Sequence, residues 1–203
     1  MSEIKQNLNL YLSDKFQMED LEQRKLYINV EIDETIIDDI VYHILRWNAE
    51  DKGIDLKDRK PILLYNSSVG GSVDAGFALI DVMLTSKTPV YTINLSYNYS
   101  MSFLIGLAGN KRFATPNAKY LMHDGSNVIY NSTTKVRDQF KFQEQQEERI
   151  KDYIISRSKL TSEEYDNCLL YTSDAADDLL CVDLGGRRII KKKKKNTTKK
   201  KKH

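Results

Sequence analysis

The sequence predicts an α/β fold made of repeated β-α units. From Lys25 onward, runs with the period-2 alternation of strands are followed by runs with the spacing of amphipathic helices. A glycine pair, Gly70-Gly71, separates one such strand from its helix, and two glycines in that place let the backbone approach a ligand closely. This alternation predicts right-handed crossovers, with a functional site on the loops that follow the carboxyl ends of the strands.

The first unit covers residues 25–47. Lys25–Ile32 carries apolar residues at alternate positions, which predicts a strand. Thr35–Trp47 predicts an amphipathic helix that Asp33 or Thr35 can cap. The apolar side of this helix consists of Ile36, Ile37, Ile40, Val41, Ile44 and Leu45.

The next two strands lead to the most polar loops of the chain. Ile62–Tyr65 predicts the second strand, and the helix predicted over Ser72–Leu84 follows the Gly-Gly turn. Val90–Ile93 predicts the third strand. We interpret Ser96–Gly109 as a loop that enters a tightly packed helix.

Ser100 and His123 are the candidate catalytic pair. Only small, apolar and uncharged residues follow Ser100 before Lys111, which places the serine at a helix N-terminus. Unpaired N–H groups and the helix dipole at that end would stabilise an oxyanion formed when the serine attacks a carbonyl. His123 closes the short apolar run Tyr120–Met122, and histidine is the commonest general base. The pair predicts a serine nucleophile and its base.

Each of these features also has a simpler interpretation. A serine at a helix start is often only an N-cap, and a histidine beside Asp124-Gly125 is commonly a turn residue. The glycine pair fits an ordinary tight turn as well. The occurrence of all three features along one β-α chain favours the functional interpretation.

Three segments carry a resemblance to a known family. They are YNSSVGGSVDAGFALIDVM, YSMSFLIGLAGNKRFATPNA and YLMHDGS. In this order and spacing they resemble the proteolytic subunit of the ATP-dependent Clp protease, a self-compartmentalised serine peptidase, and the similarity runs from about Leu26 to Asn167. The resemblance implies a crotonase-like α/β fold with a long protruding handle helix.

The resemblance also implies roles for individual residues. The serine of the Ser-Met pair, Ser100, would be the nucleophile, and His123 would be the catalytic histidine. The N–H groups of Gly71 and Met101 would form the oxyanion hole. No metal or cofactor is implied, because ATP is used by a partner unfoldase. The chain itself has no Walker-type loop, since Gly70-Gly71-Ser72 does not fit GxxxxGK[ST].

The resemblance extends to partners and assembly. It implies unfolded polypeptide substrates, an AAA+ Clp unfoldase that delivers them, and heptameric rings stacked as a tetradecamer. The helix predicted over Thr133–Ser158 would be the handle that joins the rings. Its thin apolar stripe suits a helix shared with a neighbouring subunit, and equally a solvated helix that packs along one edge. The stripe comprises Val136, Phe140, Gln143, Ile150 and Ile154.

Three positions depart from the commonest family pattern. Val69 stands where a proline usually precedes the glycines, Tyr99 replaces a small residue before the nucleophile, and Ser102 replaces a glycine after it. Backbone donors survive side-chain changes, so we expect the oxyanion hole to persist. We expect Tyr99 and Ser102 to alter the shape of the pocket and the substrate preference.

The third member of a serine triad is missing from the part of the chain that resembles the family. The family's aspartate should fall near positions 172–174, where Asp174 stands. However, Cys168–Asp177 and Val182–Ile190 match the translation of sequencing-library adapters, and the lysines that follow match poly-A. We therefore expect residues 1–167 to be a C-terminally truncated peptidase domain and residues 168–203 to be a non-native, disordered tail. Because loss of the triad aspartate costs about 10⁴ in rate, little activity is expected of the chain as it stands.

The tail also accounts for the basic composition. It holds 11 of the 31 Lys and Arg and 4 of the 29 Asp and Glu, so the net charge of +2 becomes −5 for residues 1–167. Both cysteines, Cys168 and Cys181, lie in it, which leaves the domain without a disulfide framework or a Cys-His zinc cluster. Without the lysine run nothing indicates nucleic-acid binding. With no secretory signal and no apolar run of about 18 residues, we expect a cytoplasmic protein without membrane association.

Two other functions stay open on the sequence alone. An acyl-CoA enzyme of the crotonase fold would use the paired N–H groups on a thioester enolate, but would need catalytic residues other than a Ser-His pair. A noncatalytic ring subunit would assemble with active copies, and the retained Ser100 and His123 argue against this alternative.

Overall fold

The computed structural model describes residues 13–123 and 133–167, together with the backbone of residues 187–188. The helices are α1 (13–22), a π-helical turn (Ile37–Val41) that leads into α2 (Tyr42–Glu50), α3 (Val73–Thr85), α4 (Met101–Ala108), α5 (Thr133–Arg157) and α6 (162–167). The strands are β1 (Lys25–Ile28), β2 (Ile62–Ser68), β3 (Val90–Tyr99), β4 (Lys111–Ala114), β5 (Lys119–Leu121) and β6 (Arg187–Arg188). Apart from β6, residues 168–203 lie outside the described residues, so the prediction of a disordered tail stays a prediction.

The strands form one sheet in which every pairing is parallel. The order is β1-β2-β3-β4-β6, and β5 also pairs with β3. Parallel strands need crossover connections, and α2, α3 and α4 supply them between successive strands. The predicted α/β fold is confirmed.

Strand β3 pairs with three other strands of the sheet, β2, β4 and β5. Its first half, Tyr91–Asn94, pairs with β4, whereas its last three residues, Tyr97–Tyr99, pair with β5. On the opposite edge, Asn98 near the end of β3 pairs with Ser68 at the end of β2. The carboxyl ends of β2, β3 and β5 therefore converge, and the segments that follow them meet at one place.

The core lies between the sheet and the helices that cover it. Ile44 of α2, Leu79 of α3 and Ile105 of α4 are fully buried, as are Ile62 and Leu64 of β2. All eight residues of α4 are buried, which explains why this helix carries no charged side chain.

Two predicted strands are longer in the structure, and one is shorter. β2 continues through Asn66 to Ser68, and β3 continues through Asn94 to Tyr99. Buried hydrogen bonds satisfy the side chains of Asn66 and Asn94, whose residue type is typical of loops. β1 ends at Ile28 instead of Ile32. Its extension is reduced to one bridge, between Ile32 and Gly71.

The helix predicted over Thr35–Trp47 begins as a π-helical turn. The Asp33 carboxylate accepts from the Thr35 N–H at 2.9 Å in the turn before the helix, but the N-cap residue is Ile36, which makes no side-chain capping bond, so the predicted cap is not found. Four residues of the predicted apolar side are buried, but Ile37 and Leu45 are exposed. The wider turn of the π-helix rotates the buried stripe away from these two positions.

Helix α5 packs on α4 through its last two turns. Ile154 is fully buried, and the Tyr153 hydroxyl donates to the carbonyl of Leu104 at 3.0 Å. The Arg157 guanidinium donates to three carbonyls at the carboxyl end of α4, those of Leu107, Ala108 and Gly109. A cation at that end satisfies free carbonyls and complements the helix dipole. Helix α4, which follows the candidate nucleophile Ser100, is thus held in place at its carboxyl end.

A buried ion pair joins the start of β1 to the end of α2. Both terminal nitrogens of Arg24 donate to the Asp51 carboxylate at 2.7 Å, and the Thr88 hydroxyl donates to it at the same distance. Asp51 is only 2% exposed. The hydrogen bond from Arg24 holds the pKa of the Asp51 carboxyl below its ordinary value, against the opposing effect of burial.

Arg24→Met is expected to destabilise the fold by about 3–5 kcal/mol near neutral pH, because it leaves a buried carboxylate without its cation. The folded-state pKa of Asp51 is depressed. The pair's stabilisation is therefore present above the ordinary carboxyl pKa and is lost as pH falls through the folded-state value. Urea unfolding at pH 7 and at acid pH measures both effects. Arg46→Met, which removes the exposed pair with Glu50, is the matched control and should change little.

Among the described residues, no helix combines the length and the apolar character needed to cross a membrane.

Candidate active site

Ser100 occupies a sharp turn between β3 and α4. Its φ of 52° and ψ of −124° lie in a region that residues with a side chain rarely adopt, and among the described non-glycine residues only Arg24 also has a positive φ. The Ser100 N–H donates to the carbonyl of Leu121 at 2.8 Å, which holds the turn against β5. Strained turns of this kind between a strand and a helix are typical of serine nucleophiles.

The helix N-terminus predicted at Ser100 is confirmed. Helix α4 begins at Met101, and the Ser100 carbonyl accepts from the N–H groups of Phe103 and Leu104. Within the described part of the chain, the Met101 N–H has no hydrogen-bond acceptor. It lies next to the serine at the positive end of the helix dipole, so it can bind a negative oxygen there.

The Gly70-Gly71 turn lies directly against the serine. A Cβ on Gly70 would come within 2.8 Å of the Ser100 Cβ and 3.0 Å of the Met101 nitrogen. The φ angles of the two glycines are 101° and 146°, which explains why neither position carries a side chain.

Ile32 anchors this turn from the other side. The Ile32 N–H donates to the Gly70 carbonyl at 2.8 Å, and the Ser72 N–H donates to the Ile32 carbonyl at 2.7 Å. The Gly71 N–H lies between these two bonds in the chain and takes part in neither. The structure thus brings the Gly-Gly turn, Ser100 and Met101 together.

His123 follows β5, on the strand end next to the serine. The register pairs Tyr99 with Leu121, and neighbouring strands lie about 4.8 Å apart. His123 stands two residues beyond Leu121 and is exposed. It borders a cleft of about 610 Å³ whose other walls come from α5 and α6. The sheet topology therefore brings the two candidate catalytic residues to adjacent strand ends, and the transfer of a proton between them stays a prediction.

The third candidate, Asp174, lies outside the described residues. No cluster of potential metal ligands occurs in the described ranges 13–123 and 133–167. The chemistry that the described residues can support is nucleophilic, with backbone N–H groups available to a developing oxyanion.

Ser102 does not line the surface of the site, and its predicted effect on the shape of the pocket stays a prediction. Ser102 is fully buried, and its hydroxyl donates to Asn66 Oδ1 at 2.9 Å, so this side chain points into the core beneath the serine. Tyr99 is half-buried, and its ring lies 5.6 Å from that of Tyr97. Its predicted effect on the pocket stays a prediction.

The sequence interpretation missed the buried residues Asn66 and Asn94. The predicted strands end one residue before them, at Tyr65 and Ile93, and asparagine is typical of turns. Their spacing was an available signal: Asn66 continues the inward positions Ile62 and Leu64, and Asn94 continues Val90 and Thr92.

Comparisons with known proteins agree on one family. A family model described as Clp protease matches residues 12–170. An ATP-dependent Clp protease proteolytic subunit 2 from Treponema denticola is 31% identical over 147 residues, which cover 71% of this chain and 70% of that protein. The subunit 2 from Treponema pallidum is 38% identical over 105 residues, which cover 51% and 50%. A proteolytic subunit 1 from Streptomyces avermitilis is 32% identical over 169 residues, which cover 80% and 75%.

The matched region includes β1 to α6 and every described residue of the candidate site. The parallel α/β sheet is the fold that the family resemblance implies. This chain belongs to the Clp protease family.

Proposed function

We propose that the chain is a serine endopeptidase subunit of an ATP-dependent Clp protease that cleaves unfolded polypeptides. The observation that carries the proposal is the turn at Ser100, held at a φ of 52° with the Gly70 backbone packed against it. A strained serine between a strand and a helix, next to free N–H groups, is an arrangement that suits acyl transfer.

In the proposed mechanism, His123 removes the proton from the Ser100 hydroxyl as the oxygen attacks the scissile carbonyl. The tetrahedral oxyanion accepts hydrogen bonds from the N–H groups of Gly71 and Met101. The histidine then protonates the leaving amine, and the acyl-enzyme is hydrolysed by a water that the same histidine activates. The buried helix α4 supports this geometry, because it cannot shift without disturbing the core.

We further propose the assembly that the family implies: heptameric rings, stacked as a tetradecamer, that receive substrate from an AAA+ Clp unfoldase in the cytoplasm. Support comes from α5, whose last turns pack on α4 while its earlier turns carry exposed aromatic side chains. Phe140 is 59% exposed and Phe142 is 61% exposed. Large apolar side chains left uncovered on one subunit suit burial against another copy. This segment is the proposed handle.

Labelling with a fluorophosphonate probe tests the proposed chemistry. In the protein completed past Asn167, the probe is expected to modify Ser100, with the site located by mass spectrometry, and Ser100→Ala should abolish the modification. Labelling that persists in the variant would sink the assignment. Turnover of an acyl-CoA thioester without labelling would support the crotonase-type enzyme instead, and ring assembly with neither activity would support a noncatalytic ring subunit.

A further inference from the structure

A buried polar network lies beneath the candidate site. The Ser102 hydroxyl donates to Asn66 Oδ1 at 2.9 Å, and Asn66 Nδ2 donates back to the Ser102 carbonyl at 2.8 Å. Asn66 Nδ2 also donates to Asn94 Oδ1 at 3.2 Å, and Asn94 Nδ2 donates to the Phe113 carbonyl at 3.3 Å. The three polar residues are at most 4% exposed.

The network joins the elements that carry the predicted site residues. Asn66 lies on β2, four positions before Gly70, and Ser102 lies in the first turn of α4, two positions after Ser100. Asn94 lies on β3 between them. A Cβ on Gly106 would come within 2.7 Å of Asn94 Oδ1, so the glycine lets α4 lie close against this strand.

The network also approaches the strand that leads to the histidine. Burial raises the pKa of the Tyr120 hydroxyl, and a hydrogen bond with the Asn94 side chain opposes that rise. Tyr120 lies on β5, three positions before His123, and its ring contacts Phe103 of α4 edge-on, with centroids 6.0 Å apart.

We infer that Asn66 is a positioning residue which, through Ser102, sets the distance between the Gly70-Gly71 turn and Ser100. The inference rests on the proposed function of that serine. Apolar surfaces can slide over one another at little cost, whereas a pair of reciprocal hydrogen bonds in a dry core allows one relative position. Any shift of α4 along β2 would leave buried polar groups without partners. Asn66 touches no reacting atom in this scheme.

Asn66→Leu is expected to lower the first-order rate constant for fluorophosphonate labelling of Ser100 by roughly 10²-fold, because small displacements of reacting groups have effects of that size. The concentration of probe that gives half-maximal rate should stay within a factor of about two, since the surface that binds the probe is unchanged. Ser102→Ala is a milder change that removes one hydrogen bond only. It should lower the labelling rate constant by a smaller factor and also leave the half-maximal probe concentration within a factor of about two.

The matched control is Thr92→Val. It removes another buried hydrogen bond between β3 and α4, from the Thr92 hydroxyl to the Gly106 carbonyl at 2.8 Å, but at the end of α4 that is remote from Ser100. It should lower the thermal midpoint as much as Ser102→Ala does and leave the labelling rate constant unchanged. Equal losses of labelling in Thr92→Val and the network variants would overturn the inference.

Amide hydrogen exchange gives a readout that needs no catalysis. Asn66→Leu and Ser102→Ala should accelerate exchange in residues 69–73 and 100–104 together, whereas Thr92→Val should not. If the chain completed past Asn167, and otherwise unaltered, fails to label at Ser100, the proposed function is wrong, and the exchange result still decides the positioning role. Unchanged exchange in both segments rejects that role.

Discussion

Gly70→Ala is expected to lower the rate of fluorophosphonate labelling at Ser100 by about 10²-fold or more, the scale of effect seen when reacting groups are displaced. The added Cβ would lie 2.8 Å from the Ser100 Cβ and 2.8 Å from the Tyr99 carbonyl oxygen. Backbone atoms cannot rotate away as a flexible side chain can, so the strained serine turn must move. Rate measurements under conditions where the variant is folded, checked by circular dichroism, test the expectation.

Gly53→Ala separates backbone strain from this collision. Gly53 has the same φ of 101°, but nothing lies within 4 Å of its Cβ position. Both substitutions place a side chain at an unfavourable φ, at a stability cost of order 1–3 kcal/mol. Only the Cβ that Gly70→Ala adds would collide with Ser100. Similar labelling by the two variants would show that the close contact does not matter to the serine.

A chain that carries the family's aspartate is expected to react about 10⁴ times faster than the present one, which is the typical effect of the triad carboxylate. The carboxylate holds the tautomer of His123 and stabilises the imidazolium that forms when Ser100 loses its proton. We propose that the native chain diverges from the present one after Asn167, so that Asp174 is not that carboxylate.

Resequencing the gene past the codon for Asn167 tests this proposal. We expect an open frame with an aspartate shortly before an aromatic residue, and the protein expressed from it should show the faster reaction. Its Asp→Asn variant is the control, and its rate should fall back toward that of the present chain. Lysine codons in the genomic DNA, where Lys191–Lys195 now stand, would refute the adapter interpretation.

The sequence predicted the order of the elements well, because apolar periodicity is strong where a strand or helix buries one face. Val90–Ile93 was identified in this way, whereas the helix after Ser100 was identified by its uncharged run of small and apolar residues, and both are confirmed. The strand ends were predicted less well. Ser68 and Asn98 belong to paired strands, yet their residue types are typical of turns. A polar residue in a strand is recognisable only when the strand that pairs with it is known, and Ser68 and its register partner Asn98 lie far apart in the sequence.

The candidate site could be predicted only in part, because only some of its residues fall on local sequence motifs. Gly71, Ser100, Met101 and His123 fall on motifs with a fixed local form, a turn, a helix start and a strand end. The buried residues beneath them, Asn66 and Ser102, fall on no such motif. The bond between Asn66 and Ser102 joins positions 36 residues apart, and no local pattern specifies which buried polar groups will meet.

The hydrogen bond from the Ser100 N–H to Leu121 has a consequence for biosynthesis. A nascent chain exposes the serine before Lys119–Leu121 has left the ribosome, and until that segment docks the amide lacks its acceptor. Without it, the serine is free to relax from its positive φ into an ordinary conformation. This hydrogen bond can therefore support the positive φ of Ser100 only after β5, the strand before His123, has been synthesised and has docked.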